Sequence, residues 1–122
     1  MGENHLYRSA IIGCGRIGAD CGPDGSGSSL IASHAEAYNR SSNTELVAIC
    51  DSDEERLYQC KQKWSISKGY RFVQEMLENE SIDIISICTS SKTHIPILNQ
   101  IIKNKTIKGV LLEKPAGISL KE

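Results

Sequence analysis

Three glycines and one carboxylate have the residue types and spacing to hold a ligand that carries a pyrophosphate. The glycines lie in Gly13-Cys14-Gly15-Arg16-Ile17-Gly18, directly after the apolar run at 6–12. In such a Gly-x-Gly-x-x-Gly stretch, Gly13 lets the chain turn sharply off a strand. Gly15, without a Cβ, lets the backbone come close to a pyrophosphate, and Gly18 lets the next helix pack tightly on the sheet. The N–H groups at that helix start, at the positive end of its dipole, suit the phosphates. Asp51 closes a second apolar run at 45–50. A carboxylate there accepts hydrogen bonds from a ribose and repels a 2′-phosphate, while the adjacent Ser52 hydroxyl can help accommodate one. Two plainer readings remain open: a strand–turn–helix that binds nothing, and a carboxylate favoured only by a nearby helix dipole.

These residues need a parallel sheet to bring them together. The run at 6–12 reads as the first strand, and the helical pattern that resumes at Ser33-His34-Ala35-Glu36-Ala37-Tyr38 as a crossover ending near residues 39–43. Between them, residues 20–30 are rich in Gly, Ser and Pro and read as an insertion loop. Removing it restores the usual interval of about 20 residues between the last glycine and the acidic residue. Its place beside the phosphate loop makes the segment at 21–29 either a flap over the ligand or an inert surface insertion.

A second strand is expected at 45–50, followed by a helix over 53–63 opened by a Ser52-x-x-Glu55 capping box. Leu57, Cys60 and Trp64 share its apolar face, Trp64 as a core anchor. A short third strand at 70–72, a helix at 73–79 and a buried fourth strand at 82–88 come next. Thr93 or His94 opens another helix, with Pro96 in its first turn and Ile95, Leu98, Ile101 and Ile102 toward the sheet. The fifth strand is at 109–112, and residues 119–122 read as the start of a further helix. Alternating strands and helices predict an α/β fold, a doubly wound parallel sheet in the order 3-2-1-4-5. Gly13, Asp51, Thr89 and Glu113 then fall at the carboxyl ends of strands, where open α/β sheets bind ligands.

Composition narrows the function classes. At 122 residues the chain suits one domain, and 39% apolar with 24% charged residues is ordinary for a soluble globular protein. A net charge of −1 without a basic block argues against nucleic acid or an anionic membrane surface as partner. No apolar run approaches the roughly 20 residues of a membrane span. The opening Met1-Gly2-Glu3-Asn4-His5 lacks a signal-peptide pattern, and Leu6 replaces the Ser or Thr that myristoylation at Gly2 would want. Cys14, Cys21, Cys50, Cys60 and Cys88 form no C-x-x-C pair, which fits a reduced, cytoplasmic setting. His5, His34 and His94 lack ligand spacing, so no metal is expected.

Four segments together resemble one family. They are Gly13-Cys14-Gly15-Arg16-Ile17-Gly18, His34-Ala35-Glu36-Ala37-Tyr38, Asp83-Ile84-Ile85-Ser86-Ile87-Cys88-Thr89 with His94, and Glu113-Lys114-Pro115. The chain from about residue 7 to 122 is similar to the nucleotide-binding domain of the Gfo/Idh/MocA oxidoreductases, the glucose–fructose oxidoreductase and inositol dehydrogenase family.

The resemblance implies a Rossmann fold over residues 1–122, without the last strand and without the C-terminal substrate domain of the family. It implies NAD as cofactor, with NADP less favoured because of Asp51. A sugar, inositol or related polyol would be the substrate, and a homo-oligomer the full-length state. It makes Lys114 the catalytic residue, reaching the nicotinamide and substrate hydroxyl, where a cation stabilises the oxyanion as hydride leaves. Glu113 would line the pocket near the ribose or amide, and the Lys114–Pro115 bond would be cis.

Thr89-Ser90-Ser91-Lys92-Thr93-His94 matches the family's Thr-Pro-Asn-x-x-His with Ser90 for Pro and Ser91 for Asn. With Cys88, it should run under the cofactor's phosphate and ribose portion. His94 reads as a helix-start or cofactor-wall residue and His34 as packing. The family's base, typically a His in a downstream Asp-x-x-x-His segment, has no match in the sequence. The chain alone is therefore expected to bind cofactor without turning over substrate. A different class remains open, a non-catalytic dinucleotide-binding regulatory or assembly module. A mononucleotide or acyl-carrier module is a third reading and would remove the role of Asp51.

Overall fold

The strands form where apolar residues run almost unbroken, as expected when both faces of a parallel sheet are covered. In the computed structural model, residues 6–15, 18 and 33–113 are described. Their elements follow in order: β1 (Tyr7–Ile12), α1 (His34–Arg40), β2 (Thr44–Cys50), α2 (Glu54–Trp64), β3 (Gly69–Tyr70), α3 (Val73–Asn79), β4 (Ile84–Ile87), α4 (Ser91–Ile101) and β5 (Gly109–Leu112). The sheet is parallel, in the order β3-β2-β1-β4-β5 that the sequence predicts.

Alternation along the strands sends side chains to two cores. Ala35 and Tyr38 of α1 and Leu57 and Cys60 of α2 cover Ile11, Leu46 and Ile49, with Trp64 packed at the margin. On the opposite face, Met76 of α3 and Ile97 and Ile101 of α4 cover Ala10, Ile12, Ala48, Cys50, Ile85 and Ile87. The register of β1 on β2 slips between Ser9 and Ala10. The buried Ser9 hydroxyl donates to the Glu45 carbonyl at 2.8 Å, beside the irregularity. Among the described residues no helix is long and apolar enough to cross a membrane.

Several boundaries differ from the sequence reading for physical reasons. Asp53, not Ser52, caps α2, because its carboxylate accepts from the Glu55 and Arg56 amides at 3.1 and 3.2 Å. The third strand is shorter and begins earlier, at Gly69. A Cβ there would stand 2.7 Å from Lys61 Cδ and 3.2 Å from Leu57 Cδ1, so a larger residue would require those α2 side chains to shift. Phe72, expected in that strand, precedes α3 at its N-cap and is exposed. The last helix, α4, starts at Ser91, which makes Pro96 its sixth residue and forfeits one internal hydrogen bond. The longer helix presents His94, Ile97 and Ile101 to the sheet and leaves Ile102 at 67% exposure, against expectation.

At the sheet's amino-terminal edge, the buried Glu80 carboxylate accepts from the Tyr70 hydroxyl and faces Arg8 at 3.6 Å and Lys68 at 3.8 Å. The hydrogen bond to Glu80, helped by burial, pushes the Tyr70 phenol up to about 12. Its folded value lies above the ordinary 10.0, so its stabilisation is complete below pH 10 and is lost as pH rises toward 12. Tyr70→Phe should lower the unfolding free energy by roughly 1–2 kcal/mol at neutral pH. It should also flatten the alkaline limb of stability, and urea titrations across that range read both effects.

Candidate functional site

The carboxyl ends of β1, β2 and β4 open onto a crevice of about 460 Å³. Gly13, Gly15, Asp51, Ser52, Cys88, Thr89 and Ser90 line it, and so do Arg56, Arg71 and Thr93.

The glycine turn has two parts. Gly13 leaves β1 with φ +97°, and a Cβ there would sit 2.7 Å from the Cys88 carbonyl carbon, so conformation and space both require glycine. At Gly18 a Cβ would stand 1.9 Å from the Gly13 carbonyl oxygen. These two glycines serve the protein's own packing. Gly15 is different, since among the described residues the atom nearest to its absent Cβ is Arg56 Nη1 at 3.9 Å, an ordinary contact. The space beside its backbone faces the crevice, and a pyrophosphate is the kind of group that needs it.

Asp51 is buried, and both of its oxygens are engaged. Oδ2 accepts from the Cys14 amide at 2.9 Å and Oδ1 from the Asp53 amide at 2.8 Å. Arg56 Nη1 stands 4.0 Å from Oδ2 and, with Arg71 on the rim, adds positive charge beside this carboxylate. Each oxygen keeps acceptor capacity toward a ribose. The Cys14 side chain is wholly buried, and its amide is directed at Asp51.

On the β4 side, Thr93 Oγ1 lies 2.6 Å from Thr89 Oγ1 and 2.8 Å from the Ser90 carbonyl oxygen. The buried His94 ring places Nε2 2.8 Å from the Thr89 carbonyl and so supports this segment from behind; it does not line the crevice. Cys88 is at the crevice wall, yet burial, then the Glu113 charge, push its thiol up to about 12. Burial and Asp51 likewise push Cys50 to about 12, so neither is a thiolate nucleophile at neutral pH.

Glu113 follows β5, its amide donating to the Ile87 carbonyl at 3.1 Å. His34 Nε2 lies 3.2 Å from Glu113 Oε2 and Nδ1 2.9 Å from Ser86 Oγ, and the Tyr38 hydroxyl lies 2.6 Å from that same Oγ. The sequence reading gave His34 as packing, with a substrate role as the lesser alternative, and did not single out Arg56, Arg71 or Ser86. The signal for Arg56 lies in its place on the first turn of α2, five residues beyond Asp51. For Ser86 it is a hydroxyl in the middle of an isoleucine run. Arg16, Ile17, Lys114, Pro115 and the insertion at 20–30 lie outside the described residues.

The arrangement joins an opening at a glycine turn to a buried carboxylate on one side and to Thr89 on the other, while Glu113, expected to line the pocket, is not among the crevice's lining residues. Comparison with known proteins agrees with it. The profile of an oxidoreductase family with an NAD-binding Rossmann fold, Gfo/Idh/MocA, matches residues 7–122. Myo-inositol 2-dehydrogenase of Thermotoga maritima is 32% identical over 113 residues, covering 93% of this chain and 29% of that enzyme. D-apiose dehydrogenase of Paraburkholderia graminis is 31% identical over 88 residues, 72% of this chain and 20% of that enzyme. The crystal structure of myo-inositol 2-dehydrogenase from Lactobacillus plantarum superposes with a TM-score of 0.75 at 27% identity, covering 94% of this chain and 30% of that one. The chain thus spans under a third of the length of these relatives. Over that span, the glycine turn, the acidic end of β2 and the parallel five-stranded sheet make it a member of the Gfo/Idh/MocA oxidoreductases, in their NAD-binding Rossmann domain.

Proposed function

We propose that the chain is the cofactor-binding part of an oxidoreductase that moves hydride between NAD and a sugar, inositol or related polyol. The observation that carries this reading is Asp51, a buried carboxylate fixed by two amides beside a glycine turn whose middle glycine is not crowded by any of the described residues. The inositol and apiose dehydrogenases among the relatives support the substrate class. Small polyols, rather than nucleic acid or membrane, would be the partners, in a homo-oligomeric cytoplasmic enzyme.

A bound nicotinamide ring supplies the hydride acceptor. The chain's residues supply position and charge. Asp51 receives the adenosine ribose, and the Gly13–Gly15 turn leaves room for the pyrophosphate. Thr89 and Ser90 carry the middle of the cofactor. Glu113 orients the nicotinamide nucleoside, and Lys114, by the family pattern, steadies the substrate oxygen as negative charge develops. The substrate C–H bond gives up hydride and its O–H gives up a proton to a base. Among the described residues neither His34 nor His94 suits that base, since both rings are engaged within the protein. The 122 residues alone should therefore bind cofactor and show no turnover. Following NADH absorbance with myo-inositol and a panel of sugars tests this, and steady turnover abolished by Lys114→Ala would refute it.

Calorimetric titration should give tighter binding of NAD than of NADP, because the 2′-phosphate meets Asp51. Asp51→Asn removes the charge and sets an N–H donor against one of the two backbone amides, so it should also lower stability. It should narrow the preference by roughly tenfold, the scale of one charged hydrogen bond.

The glycines give a second check. Gly15→Ala should leave the melting temperature nearly unchanged, because among the described residues the nearest atom is 3.9 Å from the new methyl, and yet weaken NAD binding. Gly13→Ala should cost at least about 2 kcal/mol of stability, from its backbone conformation and the Cys88 clash. Thermal melts and NAD titrations of the two variants compare these outcomes directly.

A further inference from the structure

The polar contacts of His34 point to a role beyond packing. Ser86 is fully buried in the middle of β4, between Ile85 and Ile87, on the face covered by α1. A hydroxyl in that place must be hydrogen-bonded, and two side chains from α1 supply the partners, the Tyr38 phenol and the His34 imidazole. The directions of the bonds follow from the donor inventory. The Glu113 carboxylate only accepts, so His34 Nε2 carries the hydrogen and donates to Oε2. In the neutral ring Nδ1 is then an acceptor, which the Ser86 hydroxyl satisfies as donor. Ser86 Oγ in turn accepts from Tyr38, whose phenol burial pushes above its ordinary 10.0 and keeps protonated at neutral pH. With His34 in that tautomer the chain runs one way, Tyr38 to Ser86 to His34 to Glu113, with every member satisfied.

The far end of this chain lies where the second nucleoside must go. A dinucleotide with its pyrophosphate over the turn after β1 and its adenosine ribose on Asp51, after β2, can extend only across β4 toward β5. Glu113 is the residue immediately after β5. A glutamate in this position, with a partly exposed side chain, has several rotamers, and His34 selects one of them.

We propose that His34 is a positioning residue: anchored by Ser86 and Tyr38, it holds the Glu113 carboxylate in the orientation that receives the nicotinamide nucleoside of the cofactor. Oε2 is taken by His34, which leaves Oε1 for a ribose hydroxyl or the carboxamide N–H. The inference rests on reading the crevice as a dinucleotide site, and it adds a residue that touches no cofactor.

The test compares two ligands on the intact chain, NADH, which spans both ends, and ADP-ribose, which lacks the nicotinamide. His34→Leu should weaken NADH by roughly fivefold to tenfold, the scale of one hydrogen bond to a charged group, and change ADP-ribose less than twofold. The enhanced emission of bound NADH should fall with it. His34→Gln, whose amide N–H can replace Nε2–H, should recover most of the NADH affinity. If His34→Leu does not fold, Tyr38→Phe carries the test: weaker NADH with unchanged ADP-ribose supports the proposal. Equal loss of both ligands would mean a merely structural role and overturn it, as would unchanged binding of both. Wild-type protein that binds neither ligand would overturn the dinucleotide reading itself, and the inference with it.

Discussion

The bidentate hold of Asp51 on two backbone amides is the constraint around which this domain is arranged. Cys14 belongs to the turn after β1, and Asp53 is the cap of α2. A single carboxylate thus fixes the distance between the turn after β1 and the helix start after β2, which are separated in sequence by α1 and β2. Both amides are donors left unpaired by the ends of regular structure, and burying them without partners would cost on the order of 1–3 kcal/mol each. On the proposed reading, the same charge that closes these two orphan sites is the one that would be offered to a ribose. Structure and recognition here share one group, so any change to it is felt in both.

Much of the fold was readable from the residues because its signals are local. Five apolar runs separated by helical spacing dictate a parallel sheet. Gly13 and Gly18 announce a turn that the backbone can make in no other way. What escaped was decided by competition between neighbours of similar chemistry. Ser52 and Asp53 both suit a helix cap, and the choice fell to Asp53 because Asp51 already ties the Asp53 amide. The start of α4 is carried forward by Ser90 and Ser91, so Pro96 lies deeper in the helix than its usual first-turn place. Among the site residues, Asp51 and Thr89 were legible as strand ends. The Tyr38–Ser86–His34–Glu113 chain was not, because its members are scattered from residue 34 to residue 113 and meet only through helix-on-sheet packing.

The two faces of the sheet divide the work of the site. On the α1–α2 face lie Ser9, Ser86 and the ring of His34, while the α3–α4 face is mostly aliphatic and takes one buried imidazole, that of His94. Polar groups inside a core are tolerated when fully satisfied, and each then favours one arrangement over its competitors. Their concentration on one side puts the geometrically demanding contacts beneath the crevice's edge and leaves the other face to supply bulk stability.

The slip between Ser9 and Ala10 reaches further than its size suggests. Up to Leu46, β2 alternates in one phase; beyond Val47 it alternates in the other, so that Leu46 and Ile49, three residues apart, enter the same core while Ala48 and Cys50 enter the opposite one. Strict alternation from Leu46 would send position 51 to the α3–α4 side and turn Ser52 toward the glycine loop. The inserted residue inverts that parity and delivers Asp51, rather than Ser52, to the Cys14 amide. The offset of five positions from Leu46 to Asp51 is therefore as much a component of the site as the carboxylate, written into the strand as an odd number.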